Sequence, residues 1–335
     1  MRIAVVTPAY NVAGYIGDTI ASLIAQSHAD WAMFVVDDGS TDATADRVAG
    51  FADPRIHLLR QANAGVSAAR NRAIAAIGSR PEAVLFLDGD DWLAPDALAR
   101  LAATLDAQPA VIAAYGAYAY VTEDGARVTR TRLGPFPAGD ILERLLEQNL
   151  FANGGHMLIR REIVAASGGF QAGIAYGEDW EYWIRIALAG SFAVVPGAAP
   201  LLWVRQRAGG AYLRLASDPQ AFTPCMEAIF ANPALAERFG TRRLGEIRRR
   251  TEAENAWIIG RELTRHGRNR EGLGPLRRSV AAKPGLKRLF LLAVAHLLAA
   301  MPATLPVKLQ GPFRRYEESD GVDSDGPMKK NHLAL

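Results

Sequence analysis

Three aspartates stand within four residues in the segment Asp88-Gly89-Asp90-Asp91, directly after the apolar run 84–87. Carboxylates this close repel one another, and a site that keeps them together commonly binds a divalent cation. The pair Asp-Gly also favours a hairpin turn, but a hairpin needs a second alternating strand. Residues 92–98 are instead typical of a turn into a helix with a proline near its first position. We therefore predict a loop that holds Mg²⁺ or Mn²⁺ against a diphosphate.

Two more acidic pairs, Asp37-Asp38 and Glu178-Asp179, stand at the boundaries of predicted elements. A residue at 40–42 can cap the helix that follows, but capping leaves Asp37 and Asp38 unexplained. Carboxylates at a strand end can accept hydrogen bonds from the N–H edge of a bound nucleotide base. Glu178 and Asp179 open an amphipathic helix, and on these residues alone they simply complement its N-terminus.

The elements that must position these acids alternate along the first 120 residues. Apolar runs and helical patterns follow one another over 3–6, 14–26, 31–36, 42–51, 56–59, 67–77, 83–87, 95–105 and 111–120. Repeated strand–helix–strand order predicts an α/β fold with a mostly parallel sheet and helices on both faces. Because ligands bind beyond the carboxyl ends of such strands, we expect the acidic loops to converge on one crevice.

Charge divides the chain into regions. Residues 1–236 hold 18 Lys and Arg against 24 Asp and Glu, residues 237–315 hold 18 against 6, and the last twenty residues hold 2 against 5. We predict an α/β domain over 1–215, with a nucleotide-binding half (1–120) and an acceptor or catalytic half (121–215). A basic helical region would follow over 216–315, and a disordered tail over 316–335.

The basic region contains two helical patterns. The spacing over 256–284 resembles one tetratricopeptide-type hairpin, and a single such unit packs on its neighbours because a solenoid needs about three. The run 286–301 is too short to span a membrane, which takes about 20 apolar residues, and basic residues flank it. A buried core helix and a helix on an anionic membrane surface both fit this pattern.

Other features exclude whole classes of function. Cys225 is the single cysteine, and no histidines have paired metal spacing, so neither a disulfide nor a structural zinc site is expected. The first apolar run is too short for a signal-peptide core, which predicts a cytoplasmic chain, peripheral on the inner face of the cytoplasmic membrane if 286–301 is a surface helix. The basic run 248–250 has no interleaved aromatics, so no nucleic-acid partner is expected.

Five segments with chemical side chains occur in one order along residues 1–207. They are Val5-Val6-Thr7-Pro8-Ala9-Tyr10-Asn11, Val35-Val36-Asp37-Asp38-Gly39-Ser40-Thr41-Asp42, Asn63-Ala64-Gly65-Val66-Ser67-Ala68-Ala69-Arg70-Asn71, Phe86-Leu87-Asp88-Gly89-Asp90-Asp91-Trp92 and Gly177-Glu178-Asp179-Trp180-Glu181-Tyr182-Trp183-Ile184-Arg185. Together they resemble the family 2 glycosyltransferases of the GT-A fold. An Asp-x-Asp motif alone would be a weak signal, but five motifs at the family's spacing are specific.

The resemblance implies a nucleotide site in the first half of the domain. Pro8 and Tyr10 would contact the nucleotide base, with the Tyr10 ring stacked on it. Asp38 would accept a hydrogen bond from the base, with Asp37 in support. Arg70 would lie near the base and the phosphates.

The resemblance also implies a catalytic group and a cofactor. Asp88 would face the ribose, and Asp90 with Asp91 would hold the divalent cation, Mn²⁺ or Mg²⁺. Asp179 would be the general base, and an ordinary carboxyl pKa near 3.9 would let it accept the proton only late in the reaction. Candidates for phosphate or acceptor contacts are Glu178, Trp180, Arg207 and His156.

The sequence departs from the family pattern in two places. Arg207 stands where many relatives have a histidine that can bind the metal, and a guanidinium binds phosphate oxygens instead of cations. The Gln-x-x-Arg-Trp motif of processive, membrane-embedded synthases is absent, which predicts that one sugar or a few are added per engagement.

The expected activity is therefore inverting transfer of a sugar from a nucleoside-diphosphate donor to a hydroxyl acceptor. The donor would be a UDP-sugar by preference, and the acceptor a cell-surface or lipid-linked glycan under assembly. The alternatives are a non-catalytic relative that serves as a scaffold and a sugar-nucleotide pyrophosphorylase. The pyrophosphorylases carry a glycine-rich phosphate loop near the N-terminus that this sequence lacks.

Overall fold

The computed structural model describes residues 1–207 and 220–300. Its strands are β1 (Ile3–Ala9), β2 (Trp31–Asp38), β3 (Ile56–Gln61), β4 (Ala83–Phe86), β5 (Trp92–Leu93), β6 (Ala113–Tyr115), β7 (Tyr118–Val121), β8 (Val128–Arg132), β9 (Met157–Arg160), β10 (Phe192–Val194) and β11 (Leu202–Arg205). Its helices are α1 (Ile16–Ile24), α2 (Thr44–Ala49), α3 (Val66–Ala76), α4 (Ala97–Asp106), α5 (Leu142–Glu147), α6 (Arg161–Ala166), α7 (Glu178–Leu188), α8 (Thr223–Phe230), α9 (Pro233–Arg265), α10 (Asn269–Ala282) and α11 (Leu286–Ala300).

The main sheet has the strand order β10-β6-β9-β4-β1-β2-β3. All of its pairings are parallel except the two made by β9, which runs antiparallel between β4 and β6. Successive residues of β1 enter different cores, Val5 on one face of the sheet and Val6 on the other, as the strand period of two requires. The predicted α/β fold with a mostly parallel, doubly covered sheet is thus confirmed.

The prediction of a single strand over 111–120 is wrong. Residues 113–115 form β6 in the main sheet, whereas residues 118–121 form β7 in a second sheet of order β5-β11-β7-β8. Gly116 stands at the break, where a Cβ atom would lie 2.8 Å from Leu201 Cδ1. A side chain at residue 116 would need Leu201 to shift, so the glycine lets the chain pass close to Leu201 where it changes sheets.

As predicted, the acidic loop after β4 is not the turn of a β-hairpin. Residues 92–93 do form a two-residue strand, β5, but it pairs antiparallel with β11 and not with β4. The helix expected to follow begins at Ala97. As a result the loop 88–91 lies between the two sheets, with β11 beside it.

The first helices after residue 220 pack on the α/β domain. Cys225, Ile229, Leu235 and Ile247 belong to the same buried cluster as Trp180 and Phe86. The predicted domain boundary near 215 lies outside the described residues, as does the tail over 316–335, so both stay predictions. Helices α9 and α10 form the hairpin expected over 256–284, and a Cβ at Gly260 would lie 2.6 Å from Leu276 Cγ. Among the described residues no helix is both long and apolar enough to cross a bilayer.

Candidate active site

Arg70 on α3 lies at the centre of the crevice formed by the strand ends. Its guanidinium donates to Asp88 Oδ1 at 3.0 Å and to Glu178 Oε1 at 2.9 Å, and it lies 5.0 Å above the Phe170 ring. Burial alone would lower the pKa of Arg70, but the charges of Asp88, Glu178 and Asp179 raise it above its usual value. Arg70 therefore stays charged and ties the nucleotide half of the domain to the catalytic half. The base and phosphate contact expected of it stays a prediction.

Asp179 opens α7 beside this ion pair. Burial, followed by the negative charge of Glu178, raises the pKa of Asp179 to about 7, although Arg70 and a hydrogen bond from the Trp180 amide lower it in part. A carboxylate with a pKa near neutrality is a far better proton acceptor than the ordinary aspartate assumed from the sequence. The environment that Asp179 needs to act as a base is thus produced by its neighbours.

The start of α7 is held by a residue that sequence reasoning left out of the site. Gly177 precedes the helix with φ 80°, and the Cys225 thiol of α8 donates to its carbonyl at 3.1 Å. A Cβ at Gly177 would lie 2.8 Å from Cys225 Sγ, so a glycine is required by both backbone and contact. Cys225 and Gly177 are 48 residues apart in sequence. A short sequence motif therefore cannot reveal their contact.

Asp90 faces Arg207 in the crevice. The Arg207 guanidinium donates to Asp90 Oδ2 at 2.9 Å and lies 4.8 Å from the Tyr15 ring centroid. Burial and the charge of Asp88 raise the pKa of Asp90, and Arg207 partly offsets this. The Asp90 side chain is 22% exposed and thus open to the crevice, with the Arg207 side chain beside it in a position to meet an anion.

Asp91 does not face the crevice, and here the expected metal ligand needs correction. Its side chain is 2% exposed. One oxygen accepts from the Arg205 amide at 2.8 Å and the other from Asn153 Nδ2 at 2.6 Å. Both oxygens are thus taken up inside the protein, and Asp91 fastens the acidic loop to β11 and to residue 153.

Asn153 and Arg205 were missed by sequence reasoning. Asn153 donates to Asp91 and, at 3.3 Å, to Asp88, while Arg205 donates to the Asp90 carbonyl at 2.9 Å and to Asp18 at 2.7 Å. The sequence feature that could have pointed to Asn153 is the pair of glycines, Gly154 and Gly155, that follows it. A Cβ at residue 154 would lie 2.6 Å from Phe86 Cβ, so this loop must run close against β4.

Asp38 is largely engaged by its own chain. Its carboxylate accepts from Gln61 Nε2 at 2.7 Å, from the Ala64 amide at 2.9 Å and from the Gly65 amide at 2.8 Å. These bonds order the loop that leads into α3 and thereby position Arg70. Asp37 accepts from the Ser40 amide at 3.2 Å. Base recognition by either aspartate stays a prediction, and Asp37 has fewer of its acceptor positions filled.

The loop after β1 presents Tyr10 at the crevice mouth. Tyr10 is 48% exposed, as a ring that stacks on a ligand must be before the ligand arrives. The loop is held by Asn11, which has φ 51° and accepts from the Thr41 amide at 2.9 Å. Pro8 lies at the end of β1, where a Cβ at Gly89 would come within 3.1 Å of its carbonyl oxygen.

Two candidate acceptor contacts are core residues and need correction. Trp180 is 2% exposed, and its indole N–H donates to the Leu145 carbonyl at 2.7 Å. His156 is fully buried, with Nδ1 2.9 Å from the Gly116 carbonyl and its ring 4.5 Å from that of Tyr118. Burial lowers the pKa of His156 to about 4, so it is a neutral packing residue. Glu178, the third candidate, is paired with Arg70.

The donor set in the crevice fits a divalent cation that is shared with a ligand. Asp88 and Asp90 are partly exposed carboxylates that repel each other, and hard oxygens of this kind suit Mg²⁺ or Mn²⁺. Within residues 1–207 and 220–300, however, no three His, Cys, Asp or Glu side chains are grouped to hold a metal. A cation here would need the oxygens of a diphosphate to complete its coordination.

Comparisons with known proteins agree with this geometry. Residues 4–168 match the sequence pattern of the family described as Glycosyl transferase family 2. The succinoglycan biosynthesis protein ExoO of Rhizobium meliloti is 30% identical over 308 residues, which cover 87% of this chain and 85% of ExoO. The UDP-Glc:alpha-D-GlcNAc-diphosphoundecaprenol beta-1,3-glucosyltransferase WfgD of Escherichia coli is 38% identical over 94 residues, 28% of this chain and 36% of WfgD. In several other relatives, too, the match spans well under half of their length.

The fold agrees with solved structures as well. The crystal structure of Staphylococcus aureus TarS residues 1–349 in complex with UDP-GlcNAc superimposes with a TM-score of 0.57 at 19% identity. The superposition covers 96% of this chain and 91% of that one, so it includes the helices after the α/β domain. With a sheet of this order, an acidic crevice at its strand ends and a relative matched over most of both chains, the protein belongs to glycosyl transferase family 2 and has the GT-A fold.

Proposed function

We propose that this glycosyltransferase moves a sugar from a nucleoside-diphosphate donor to a hydroxyl acceptor with inversion at the anomeric carbon. The observation that carries the proposal is Asp179, a half-buried carboxylate with its pKa raised to about 7. It stands at the start of α7, across Arg70 from Asp88. A base poised near neutral pH beside the acidic crevice suits the activation of a hydroxyl group.

The proposed step is a single displacement. The acceptor hydroxyl oxygen attacks the anomeric carbon, the bond from that carbon to the diphosphate oxygen breaks, and the hydroxyl proton passes to Asp179. The leaving diphosphate takes the electron pair of the broken bond. Attack from the face opposite the leaving group inverts the configuration. Protonated Asp179 then loses its proton to water, which is rapid for a group with a pKa near 7.

Donor recognition is proposed to run along the strand ends. The exposed Tyr10 ring would stack on the base, Asp37 would accept from its N–H edge, and Asp88 would face the ribose. Arg207 would turn from Asp90 to the diphosphate, because a guanidinium pairs well with phosphate oxygens. A bound Mn²⁺ or Mg²⁺ would neutralise charge on the leaving diphosphate. Asp90, with Asp88 nearby, would hold that cation from the protein side.

The donor and the acceptor are proposed from the relatives. WfgD is named for a UDP-sugar donor and a lipid-diphosphate acceptor, and the TarS complex contains UDP-GlcNAc. ExoO is named for succinoglycan biosynthesis. A UDP-sugar and a surface polysaccharide or lipid-linked glycan are therefore the substrates that we propose.

A thermal-shift experiment tests the donor class. UDP, GDP, dTDP and CDP would each be added with and without Mn²⁺, since a ligand that binds only the folded state must raise its stability. We expect a metal-dependent rise with UDP that Asp90→Asn abolishes and that Asp96→Asn, an exposed acid outside the crevice, leaves unchanged. The absence of any rise at millimolar nucleotide would favour a non-catalytic scaffold instead.

A further inference from the structure

Helix α11 exposes apolar side chains on the side that faces away from the protein. Leu286 is 87% exposed, Leu297 62%, Phe290 59% and Leu289 47%. With Ala293 they repeat at intervals of three and four residues, so they share one face of the helix. These five residues are called the outer stripe. Soluble surfaces rarely align side chains of this size, and such a patch marks an interaction site.

The opposite face of α11 packs against the hairpin of α9 and α10. Leu291 and Ala295 are buried, and they form a small cluster with Leu276 of α10 and the partly buried Trp257 of α9. This inner face is sufficient to dock the helix on the hairpin. The outer stripe therefore contributes nothing to the core of the described residues, and its apolar character needs another explanation.

Basic residues predominate along α10 and α11. Residues 269–300 contain six Lys and Arg (Arg270, Arg277, Arg278, Lys283, Lys287 and Arg288) and one acid, Glu271. Arg277 lies on one flank, 2.7 Å from the ring of His296. Lys283, in the connection between α10 and α11, is 53% exposed and pairs with Glu254. A shallow groove of about 570 Å³, lined by Leu289, Leu292, Ala293, His296 and Leu297, runs along the same face.

We propose that the outer stripe is a membrane-docking surface that lays α11 flat on an anionic lipid bilayer. The leucines and Phe290 would enter the boundary between headgroups and acyl chains, and the flanking cations would pair with lipid phosphates. Such a helix lies on the membrane and does not cross it, in keeping with its 15 residues. The surface is separate from the crevice, and vesicle binding needs no sugar donor.

Charge argues against one other occupant, and composition argues against a second. A second copy of the chain would bring the basic residues of two copies together across a two-fold interface, which is repulsive even though Lys283 and Arg288 share Glu254. The acidic segment 316–335 of the same chain would suit the cations, but its 20 residues contain few large apolar side chains to cover the outer stripe. An anionic bilayer satisfies both the charges and the apolar surface.

The test is flotation of the full chain with vesicles of phosphatidylcholine alone and with about a third of phosphatidylglycerol. We expect binding to the anionic vesicles only, weakened by salt. The variant Leu289→Ser/Phe290→Ser/Leu297→Ser is expected to bind at least about tenfold more weakly. The matched control, Ile24→Ser/Leu133→Ser, removes exposed apolar side chains of the α/β domain and is expected to bind normally.

Phe290→Trp gives a second readout that does not depend on loss of binding. We expect its added fluorescence to shift to the blue with anionic vesicles. Equal binding of the triple variant and the chain itself would overturn the proposal. So would a dimer that the triple variant dissociates, or new proteolysis within 301–335 in that variant, since these results assign the stripe to a second copy or to the tail. Nucleotide-induced thermal shifts report on the transferase site separately.

Discussion

Around the crevice, carboxylates that normally lie in water are partly or fully buried, whereas on α11 leucines that normally lie in a core are exposed. Asp91, which fastens the acidic loop behind the crevice, is 2% exposed, and Leu286 is 87% exposed. Each arrangement costs stability on its own, because burial penalises a charge and water penalises an apolar surface. Around the crevice the protein supplies compensating partners: Arg70 for Asp88 and Glu178, Arg207 for Asp90, and Asn153 with the Arg205 backbone amide for Asp91. On the outer stripe the described residues supply none.

This difference separates two kinds of functional site. The crevice is organised in advance, and its chemistry depends on pKa values that the surrounding protein sets. The outer stripe is incomplete, and in our proposal its partner comes from outside the chain. Substitutions should therefore act on activity and pH dependence in the crevice, and on binding but hardly on stability at the stripe.

Asp179→Asn is expected to have the largest effect. Removal of the proposed base should lower kcat for donor turnover by about 10³-fold, within the range usual for general base catalysis. Binding of UDP with Mn²⁺ should be unchanged, because Asp179 is not proposed to contact the nucleotide. Steady-state kinetics and nucleotide titration measure the two quantities. Activity within tenfold of the parent protein would refute the assignment of the base.

The pH dependence of kcat/KM is expected to follow Asp179. The carboxylate is active when deprotonated, and its raised pKa means that it becomes protonated as the pH falls through about 7. Below pH 7, kcat/KM should fall by about tenfold per pH unit, so kcat/KM at pH 5 should be about a hundredfold below its plateau at high pH. His156 cannot cause this limb, because its pKa is lowered to about 4. A flat profile between pH 5 and 8 would contradict the prediction.

Asp90→Asn and Asp91→Asn should separate the two neighbouring acids. Asp91→Asn places an amide where two donors, the Arg205 amide and Asn153, now point, and should lower the free energy of unfolding by about 2–3 kcal/mol. Asp90→Asn should leave that free energy nearly unchanged and weaken metal-dependent nucleotide binding. Urea unfolding and nucleotide titration of both variants measure this. Equal stability of the two would argue against an interior role for Asp91.

Leu297→Gln is expected to have the smallest effect on stability. The side chain is already 62% exposed, so the free energy of unfolding should change by less than about 0.5 kcal/mol. Leu291→Ala, on the inner face of the same helix, should lower it by about 2 kcal/mol. Thermal unfolding of the two variants compares the faces directly. A large loss for Leu297→Gln would mean that the outer stripe is packed against another part of the chain.

Much of the fold could be predicted from local patterns. The strands β1, β2 and β4 and the helix α7 follow from apolar runs and from a 3.6-residue period, both of which are properties of neighbouring residues. Glu181 and Arg185 form an ion pair at 2.7 Å, a contact of the kind that local spacing predicts because residues four apart on a helix lie close. The prediction of one strand over 111–120 was wrong because the contact of Gly116 with Leu201 is distant in sequence.

Contacts between residues distant in sequence also decide the roles of the three aspartates of the acidic loop. Asp88, Asp90 and Asp91 look equivalent in sequence, and pattern alone could not tell which of them turns inward. Asn153 decides this together with Arg205, and each contacts Asp91 across more than sixty residues. For Trp180 and His156, a side chain next to a catalytic motif or a strand was taken for a contact, and burial shows each to be part of the core.

The sequence by itself determined the alternation of strands and helices, the positions of the acidic loops at strand ends and the family to which the five motifs belong. Those features are encoded in the spacing of nearby residues. Only the tertiary structure decided that the pKa of Asp179 is raised to about 7, that Asp91 is interior and that α11 turns an apolar face outward. These features depend on burial or on charges that the fold brings together from distant parts of the chain. Neither burial nor such a charge environment can be deduced from a residue and its sequence neighbours alone.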